Sequence, residues 1–204
     1  MTEQGIVTNH VELDRIAVQE TLRLVRTADD KDWDRPTPCT GWTFHDLLAH
    51  MTAQNNGFAA AARGEGGLSA YWRVHSEMDD PAGAYAHSVA SLLIPFAEHG
   101  GTEREFVLPE LGGAFPGRVA VSFHLLDIAV HAWDLAVTTG SELRLPPAVW
   151  DAVLPIARRV PAGTPFFAAA LTEPPGASAL EATLRTLGRD PHWSPDDQEA
   201  PRPL

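Results

Sequence analysis

The sequence predicts an all-α protein, a four-helix bundle with a short helical C-terminal extension. Four long segments carry apolar residues at the spacing of one helix face. Connections of mixed length join them, as in helical bundles. Strand and helix patterns do not alternate, which argues against an α/β fold of the nucleotide-binding type. Because Gly-x-Gly-x-x-Gly, phosphate-loop and Gly-x-Ser-x-Gly motifs are missing from the sequence, neither nucleotide binding nor serine hydrolysis is indicated.

Composition narrows the class of protein further. The chain has 204 residues, 44% hydrophobic and 21% charged, which is typical of a folded soluble protein with one sizeable core. The net charge of −12 argues against nucleic acid as a partner, because phosphate binding draws on clustered Lys and Arg. No run of about 18 apolar residues is present and the N-terminal residues lack signal-peptide features, so no membrane partner is expected. The single cysteine, Cys39, excludes an internal disulfide, and we expect a cytoplasmic protein.

Apolar spacing predicts the first helix over residues 11–28, with Asn9 as its N-cap. The acidic run 29–42 is predicted to be a loop, because Pro36 and Pro38 cannot continue a helix. This loop separates the first helix from the second.

The second helix has the strongest start signal in the sequence. Thr43 is a natural N-cap, and Asp46 three residues later completes a capping-box pattern. Trp42 and Leu47 are placed for a hydrophobic staple across the cap. Gly64 is the expected stop, because glycine is favoured just beyond helix C-termini.

Sequence signals also predict the elements after the second helix. Asp80 and Pro81 are the N-cap and first residue of a third helix, which Pro95 is placed to kink. The predicted elements are a mobile connection over 65–80, the third helix over 82–98 ending at Gly100 and Gly101, a short extended arm over 105–108, a loop over 109–117, a long helix over 119–140, and two shorter helices over 148–159 and 179–187. We expect a bundle over 9–140, an extension over 141–193 packed on it, and a disordered tail over 194–204.

The long helix carries the most informative polar residues. Asp127 and His131 stand four residues apart, one above the other on a helix that is otherwise apolar. A carboxylate and an imidazole in this arrangement can bind one metal ion, whereas a hydrogen-bonded Asp–His pair without metal is the alternative.

His50 is the candidate for a third ligand. It shares a stripe of the second helix with Leu47, Met51 and Gln54, which we expect to face the core. Metal sites of helical bundles are built from such inward-facing side chains. Two histidines and one carboxylate leave at least one coordination position open, which is typical of a catalytic site.

Two further residues of the long helix are candidates for catalytic roles. His124 competes as a ligand, but the rise over seven residues is roughly 10 Å, so it does not share an ion with His131. His124 could instead pair with Asp127, line the pocket as a proton carrier, or be a hydrogen-bonded wall residue. Asp134 lies three residues after His131 and could orient its ring, or form a surface ion pair.

Three segments resemble a known family. TPCTGWTFHDLLAHMTAQNNGFAAAARGE (37–65) is similar to the opening motif of the DinB-like, mycothiol-dependent enzyme superfamily. LLDIAVHAWDLAVTTG (125–140) resembles its second motif, and TLGRDPHW (186–193) resembles the C-terminal signature of one metal-binding branch. The order of the segments also matches.

The resemblance implies a four-helix bundle that holds a divalent metal, commonly zinc. In the mycothiol-dependent maleylpyruvate isomerases the ligands are a histidine of the first motif and a carboxylate and a histidine of the second. These positions correspond to His50, Asp127 and His131. The isomerases have glutamate at the carboxylate position and carry a separate C-terminal domain, so the resemblance implies the metal site but not the maleylpyruvate reaction.

The resemblance favours a metal-dependent enzyme that activates a low-molecular-weight thiol, such as mycothiol, as cosubstrate. The thiolate would attack a small electrophilic substrate, in an S-transferase or an isomerase reaction. A hydrolase or lyase that activates water is the alternative enzyme. A bundle that binds a small ligand or metal without turnover, and a homodimer with a vestigial site, are the non-enzymatic alternatives.

Overall fold

A computed structural model describes residues 3–98 and 101–197 of the chain. It is dominated by helices, so the all-α prediction is confirmed. The helices are α1 (Glu3–Thr27), α2 (Phe44–Arg63), α3 (Pro81–Ala97), α4 (Gly117–Thr139), α5 (Pro147–Ala157) and α6 (Ala179–Thr186). Two short strands, β1 (Glu105–Leu108) and β2 (Gly113–Pro116), form an antiparallel hairpin.

The first four helices form the predicted bundle. Helix α1 packs against α3 and α4, and α2 packs against the same two helices, so the four surround one core. The aromatic and aliphatic side chains at its centre are fully buried. The largest of them are Tyr85, Phe44, Phe106, Leu24, Leu47 and Leu48.

Helix α1 differs from the prediction at its N-terminus. The helix begins at Glu3, so Asn9 lies within the helix and is not its N-cap. The sequence before residue 11 holds no proline, and nothing there forces a later start. Leu13, Ala17 and Leu24 nevertheless face the core as the apolar spacing predicted.

The start and end of α2 follow the sequence signals. The Thr43 hydroxyl accepts a hydrogen bond from the Asp46 amide, and the Asp46 carboxylate accepts one from the Thr43 amide. Gly64 ends the helix with φ of 88°, a left-handed conformation that other residues adopt at a cost. The cap fixes the first turn of the helix that carries His50.

We expect Thr43→Ala to lower the free energy of unfolding by about 1 kcal/mol, because an N-cap amide of α2 loses its side-chain acceptor. Urea denaturation followed by circular dichroism would measure the change. Thr43→Ser is the matched control, since it keeps the hydroxyl and should stay near the wild-type value. Equal losses in both variants would contradict a capping role.

The hairpin corrects the prediction of a loop over 109–117. Gly113–Pro116 pairs with Glu105–Leu108, and Phe106 lies opposite Phe115. Gly112 makes the turn with φ of 69°, which glycine adopts readily. The glycine and proline content of this stretch led to the prediction of a loop. The strand forms because it pairs with β1, whose Phe106 is buried in the core.

Helix α4 is the central element of the molecule. It is long and apolar enough to meet the length and hydropathy criteria of a membrane span, which the sequence prediction did not anticipate. In the structure 78% of the apolar segment of α4 is buried, as in the core helix of a globular bundle. Its burial explains the apolar composition without a membrane.

The later elements lie close to their predicted positions. The Asp80 side chain caps α3 as predicted, and the connection before it contains the short 3-10 helix Ser69–Trp72. Helix α5 packs on α4 and α1, and α6 packs on α5. Gly100 and residues 198–204 of the predicted disordered tail lie outside the described residues. The division into a bundle and an extension stays a prediction.

Candidate metal centre

Helices α2 and α4 bring three predicted ligands together. Helix α2 supplies His50, and α4 supplies Asp127 and His131. The Asp127 Oδ1 atom lies 3.3 Å from His131 Nε2, and Asp127 Oδ2 lies 4.0 Å from His50 Nε2. All three side chains present a ligand atom within 4.8 Å of the others. The three residues that the sequence suggested as ligands therefore lie close together, and their role as ligands stays a prediction.

The spacing of these atoms fits a divalent ion. Tetrahedral zinc with bonds of about 2 Å places neighbouring ligand atoms roughly 3.3 Å apart. The Asp127–His131 separation already has this value, and the Asp127–His50 separation needs a contraction of less than an ångström. His50 and Asp127 side chains are 22% and 26% exposed, whereas His131 is 5% exposed. One side of the cluster thus faces solvent, where a fourth ligand could bind.

The charges of the cluster also suit a cation. Burial lowers the pKa of His50 to about 4, so its imidazole is neutral at neutral pH. Burial raises the pKa of Asp127, but His131 and His50 outweigh this effect and hold the pKa below its ordinary value. Burial lowers the pKa of His131, but Asp127 and Asp134 raise it well above the ordinary value. Metal binding must therefore displace a proton from His131.

Asp134 lies behind His131, on the side away from Asp127. Its Oδ2 atom is 2.8 Å from His131 Nδ1, and the carboxylate is fully buried. An Nδ1–H that donates to Asp134 leaves Nε2 free to face Asp127 and a metal ion. Asp134 thus has the geometry of a residue that orients a ligand, and the surface ion pair considered for it is ruled out by its burial.

Two residues that the sequence analysis did not assign complete this arrangement. The Cys39 thiol donates to Asp134 Oδ2 at 3.3 Å, and Arg189 Nη2 donates to the same oxygen at 3.4 Å. Arg189 also donates to Cys39 Sγ at 3.4 Å. Both residues lie inside the motifs quoted above, 37–65 and 186–193. Their position in these motifs was the one feature of the sequence that could have indicated a role in the site.

Cys39, His131 and Asp134 form a second set with ligand-like spacing. The guanidinium of Arg189 lies 3.4 Å from both the thiol and the carboxylate of this set. A fixed cation at this distance opposes a metal ion in the same place. The first set, which no guanidinium contacts in the described part of the chain, is the better candidate.

The structure places His124 away from the cluster. Its Nδ1 atom lies 2.7 Å from Asp14 Oδ1, its Nε2 atom lies 3.1 Å from Asn55 Oδ1, and the side chain is fully buried. The pairing of His124 with Asp127 is therefore wrong, and so is its placement in the pocket as a proton carrier. The physical reason is that Asp14 on α1 hydrogen-bonds to His124. The residue spacing within α4 carries no information about a partner on another helix.

A cleft of about 290 Å³ opens beside His50. It is lined by Trp42, Asp46, Ala49, His50, Val74 and Ser76. The Trp42 ring, predicted to staple onto Leu47, lies 5.0 Å from the His50 ring and is 36% exposed. Val74 and Ser76 come from the connection between α2 and α3, which was predicted over 65–80. Among the described lining residues there is no lysine or arginine, and the polar groups of the wall are those of Asp46, His50 and Ser76.

The fold and the site together define a class of protein, a helical bundle in which two facing helices present two histidines and a carboxylate. The sequence family described as the mycothiol maleylpyruvate isomerase N-terminal domain matches residues 15–136. The chain belongs to this family, and the resemblance seen in the sequence motifs is confirmed.

Two curated proteins are similar to this chain in sequence. Two uncharacterised proteins of Mycobacterium tuberculosis, from strains CDC 1551 / Oshkosh and ATCC 25618 / H37Rv, are each 35% identical over 120 residues. The match covers 55% of this chain and 57% of each relative, so the chain spans little more than half the length of these relatives.

Two crystal structures have the same fold. One is the mycothiol-dependent maleylpyruvate isomerase (TM-score 0.57, 18% identity), and the other is a histidine-to-alanine mutant of that enzyme (TM-score 0.60, 15% identity). Each comparison covers 74% of this chain and 69% of the other chain. At these identities the likeness establishes the fold alone.

Proposed function

We propose that this protein is a metal-dependent enzyme that activates a low-molecular-weight thiol, of the mycothiol type, for transfer to or isomerisation of a small electrophile. The observation that carries the proposal is the cluster of His50, Asp127 and His131 with one side open to solvent. The names of the family and of the structures with the same fold support a thiol of this type.

Each residue of the cluster has a defined part in this proposal. A divalent ion, with zinc as the best fit, would supply a Lewis acid that lowers the pKa of a thiol reaching the open position. Asp127 contributes the negative charge that favours the cation, and His50 contributes a neutral imidazole at neutral pH. Asp134 holds the Nδ1 proton of His131, so that Nε2 stays available as a ligand.

The cleft beside His50 would take the remainder of the thiol or the electrophile. Trp42 offers an exposed aromatic face next to the cluster, and Val74 adds apolar surface. Because the described lining holds no lysine or arginine, a carboxylate of the electrophile would find its cationic partner at the metal position and not in the cleft wall.

The partners and location follow from the same proposal. A small-molecule substrate and a low-molecular-weight thiol are the expected partners, in keeping with the net charge of −12, which disfavours nucleic acid. A cytoplasmic location would give access to the thiol pool. Association into a homodimer is also part of the proposal, and gel filtration with light scattering would test it.

We expect a near-ultraviolet charge-transfer band when mycothiol is added to the cobalt-substituted protein, because cobalt–thiolate bonding gives such a band. Titration of the absorption spectrum would measure it. S-methyl mycothiol is the matched control, since it keeps the cleft contacts but has no ionisable thiol, and it should give no band. If no thiol changes the cobalt spectrum while carboxylate or carbonyl compounds do, a water-activating hydrolase or lyase, or a ligand-binding protein, replaces the thiol enzyme.

A further inference from the structure

Arg189 contacts Asp134, the carboxylate behind His131, from the C-terminal part of the chain, beyond the residues that the family match covers. It follows α6 through Gly188, whose φ of 75° turns the backbone back toward the bundle. A Cβ at Gly188 would lie 2.6 Å from the Cβ of Ala168, so the turn has no room for a side chain. The Arg189 amide then donates to Leu184 O at 2.9 Å, which fixes the backbone at the point where the side chain begins.

The Arg189 side chain is held in one position. It is 8% exposed, its Nη1 atom donates to Leu187 O at 3.1 Å, and its guanidinium lies 5.3 Å from the centre of the Phe167 ring. Cation–aromatic contact of this kind is favourable where the cation is shielded from water. A buried guanidinium needs an anionic partner, because an unpaired buried charge costs too much free energy.

That partner is Asp134. Its Oδ2 atom accepts hydrogen bonds from three donors, namely Arg189 Nη2, the Cys39 thiol and His131 Nδ1. Three donors on one oxygen fix the carboxylate in position. Burial raises the pKa of Asp134, but Arg189 and His131 outweigh it and hold the pKa below its ordinary value.

The chain of contacts runs from Arg189 through Asp134 to His131. The Asp134 carboxylate determines both the tautomer and the ring orientation of His131. The position of that carboxylate is in turn held by its hydrogen bond from Arg189. Without Arg189, two carboxylates, the partly exposed Asp127 and the buried Asp134, would flank His131, and Asp134 would lose its guanidinium partner.

We propose that Arg189 is a positioning residue of the metal centre, which holds Asp134 in place and through it aims His131 Nε2 at the ion. The C-terminal segment around residues 179–193 is then an integral part of the site. This inference rests on the proposed metal site of His50, Asp127 and His131.

The test compares Arg189→Gln with Arg189→Lys and with Arg185→Gln. Arg185 is the matched control, because it belongs to α6 and donates to Thr172 O on the surface. Zinc affinity is measured by competition with a fluorescent chelator. We expect Arg189→Gln to weaken zinc binding by about 10-fold, the lower end of the usual cost of losing an outer partner of a ligand, because Arg189 acts through Asp134. Arg189→Lys, which keeps the charge, should recover part of this loss, and Arg185→Gln should bind like the wild type.

A double-mutant comparison separates positioning from general structural support. In an Asp134→Asn background, Arg189→Gln should weaken zinc binding by less than twofold further, because the two residues act through one contact. Full additivity of the two effects would overturn the proposal, as would unchanged zinc affinity in Arg189→Gln alone.

A second measurement uses the metal-free protein. Nitrogen-15 NMR of the histidine side chains reports the proton on His131 Nδ1, and we expect its signal to shift in Arg189→Gln but not in Arg185→Gln. If the wild type binds no zinc, the proposed metal site fails, and this spectrum still decides whether Arg189 orders His131. An unshifted His131 signal would overturn the positioning role whatever the metal affinity.

Discussion

The His131→Ala variant should bind zinc more than about 100-fold more weakly than the wild type. Loss of an outer partner alone typically costs 10- to 100-fold, and His131 is a direct ligand in the proposed site. It is also the best ordered of the three, since its side chain is 5% exposed and Asp134 holds its ring. Chelator competition and metal analysis of the purified protein would measure the loss. His50→Ala should behave in the same way, with one ligand removed from α2.

The control for this experiment is His45→Ala. His45 lies on the same helix as His50, five residues earlier, and its ring packs at the edge of Trp33, 6.4 Å away between centres. The His45→Ala variant should keep the wild-type zinc content. Equal metal content in the wild type, His50→Ala and His131→Ala would rule out the assigned ligands.

Asp14→Ala should lower the free energy of unfolding by roughly 3–5 kcal/mol, the usual cost of removing one partner of a buried ion pair. Asn55 donates from Nδ2 to Ser88 Oγ, so its Oδ1 accepts from His124 Nε2, while Asp14 accepts from Nδ1. Both ring nitrogens of His124 therefore carry protons, and the ring is a cation. In the Asp14→Ala variant this cation stays buried without its partner.

Urea denaturation at several pH values would measure this effect. Burial lowers the pKa of His124, but Asp14 outweighs it and raises the pKa above its ordinary value of 6.5. The pair therefore contributes its full stability below about pH 6.5 and loses it as the pH rises through the raised pKa. The double variant Asp14→Leu with His124→Leu should be more stable than Asp14→Ala, since it leaves no buried charge. A loss below 1 kcal/mol for Asp14→Ala at pH 6 would contradict an ion pair.

The parts of the molecule that follow from local sequence were predictable. The capping box of Thr43 and Asp46 located the start of α2, and the spacing of Asp127 and His131 placed both on one face of α4. His50 could be joined to them because the stripe of α2 that carries it is apolar, and apolar stripes of a bundle face one another.

The parts that depend on contacts between distant segments were not predictable from spacing. No periodicity relates Asp14 to His124, so spacing offered Asp127 as one possible partner of His124 and could not offer Asp14. Arg189 and Asp134 are 55 residues apart, and no local spacing relates them either. Of the residues behind His131, Asp134 was predicted from its spacing, whereas Cys39 and Arg189 were not; the assignment of His50, Asp127 and His131 as metal ligands stays a prediction.

The distribution of the ligands over two helices has a thermodynamic consequence. Asp127 and His131 share α4, so His50 on α2 is the one proposed ligand whose binding depends on the distance between two helices. An ion held by all three residues would cross-link α2 to α4. Because it would bind the folded chain and not the unfolded one, a free ion concentration 100 times the Kd would add about 2.7 kcal/mol to the stability of the whole bundle. The melting temperature of this protein would then rise with the zinc concentration of its surroundings.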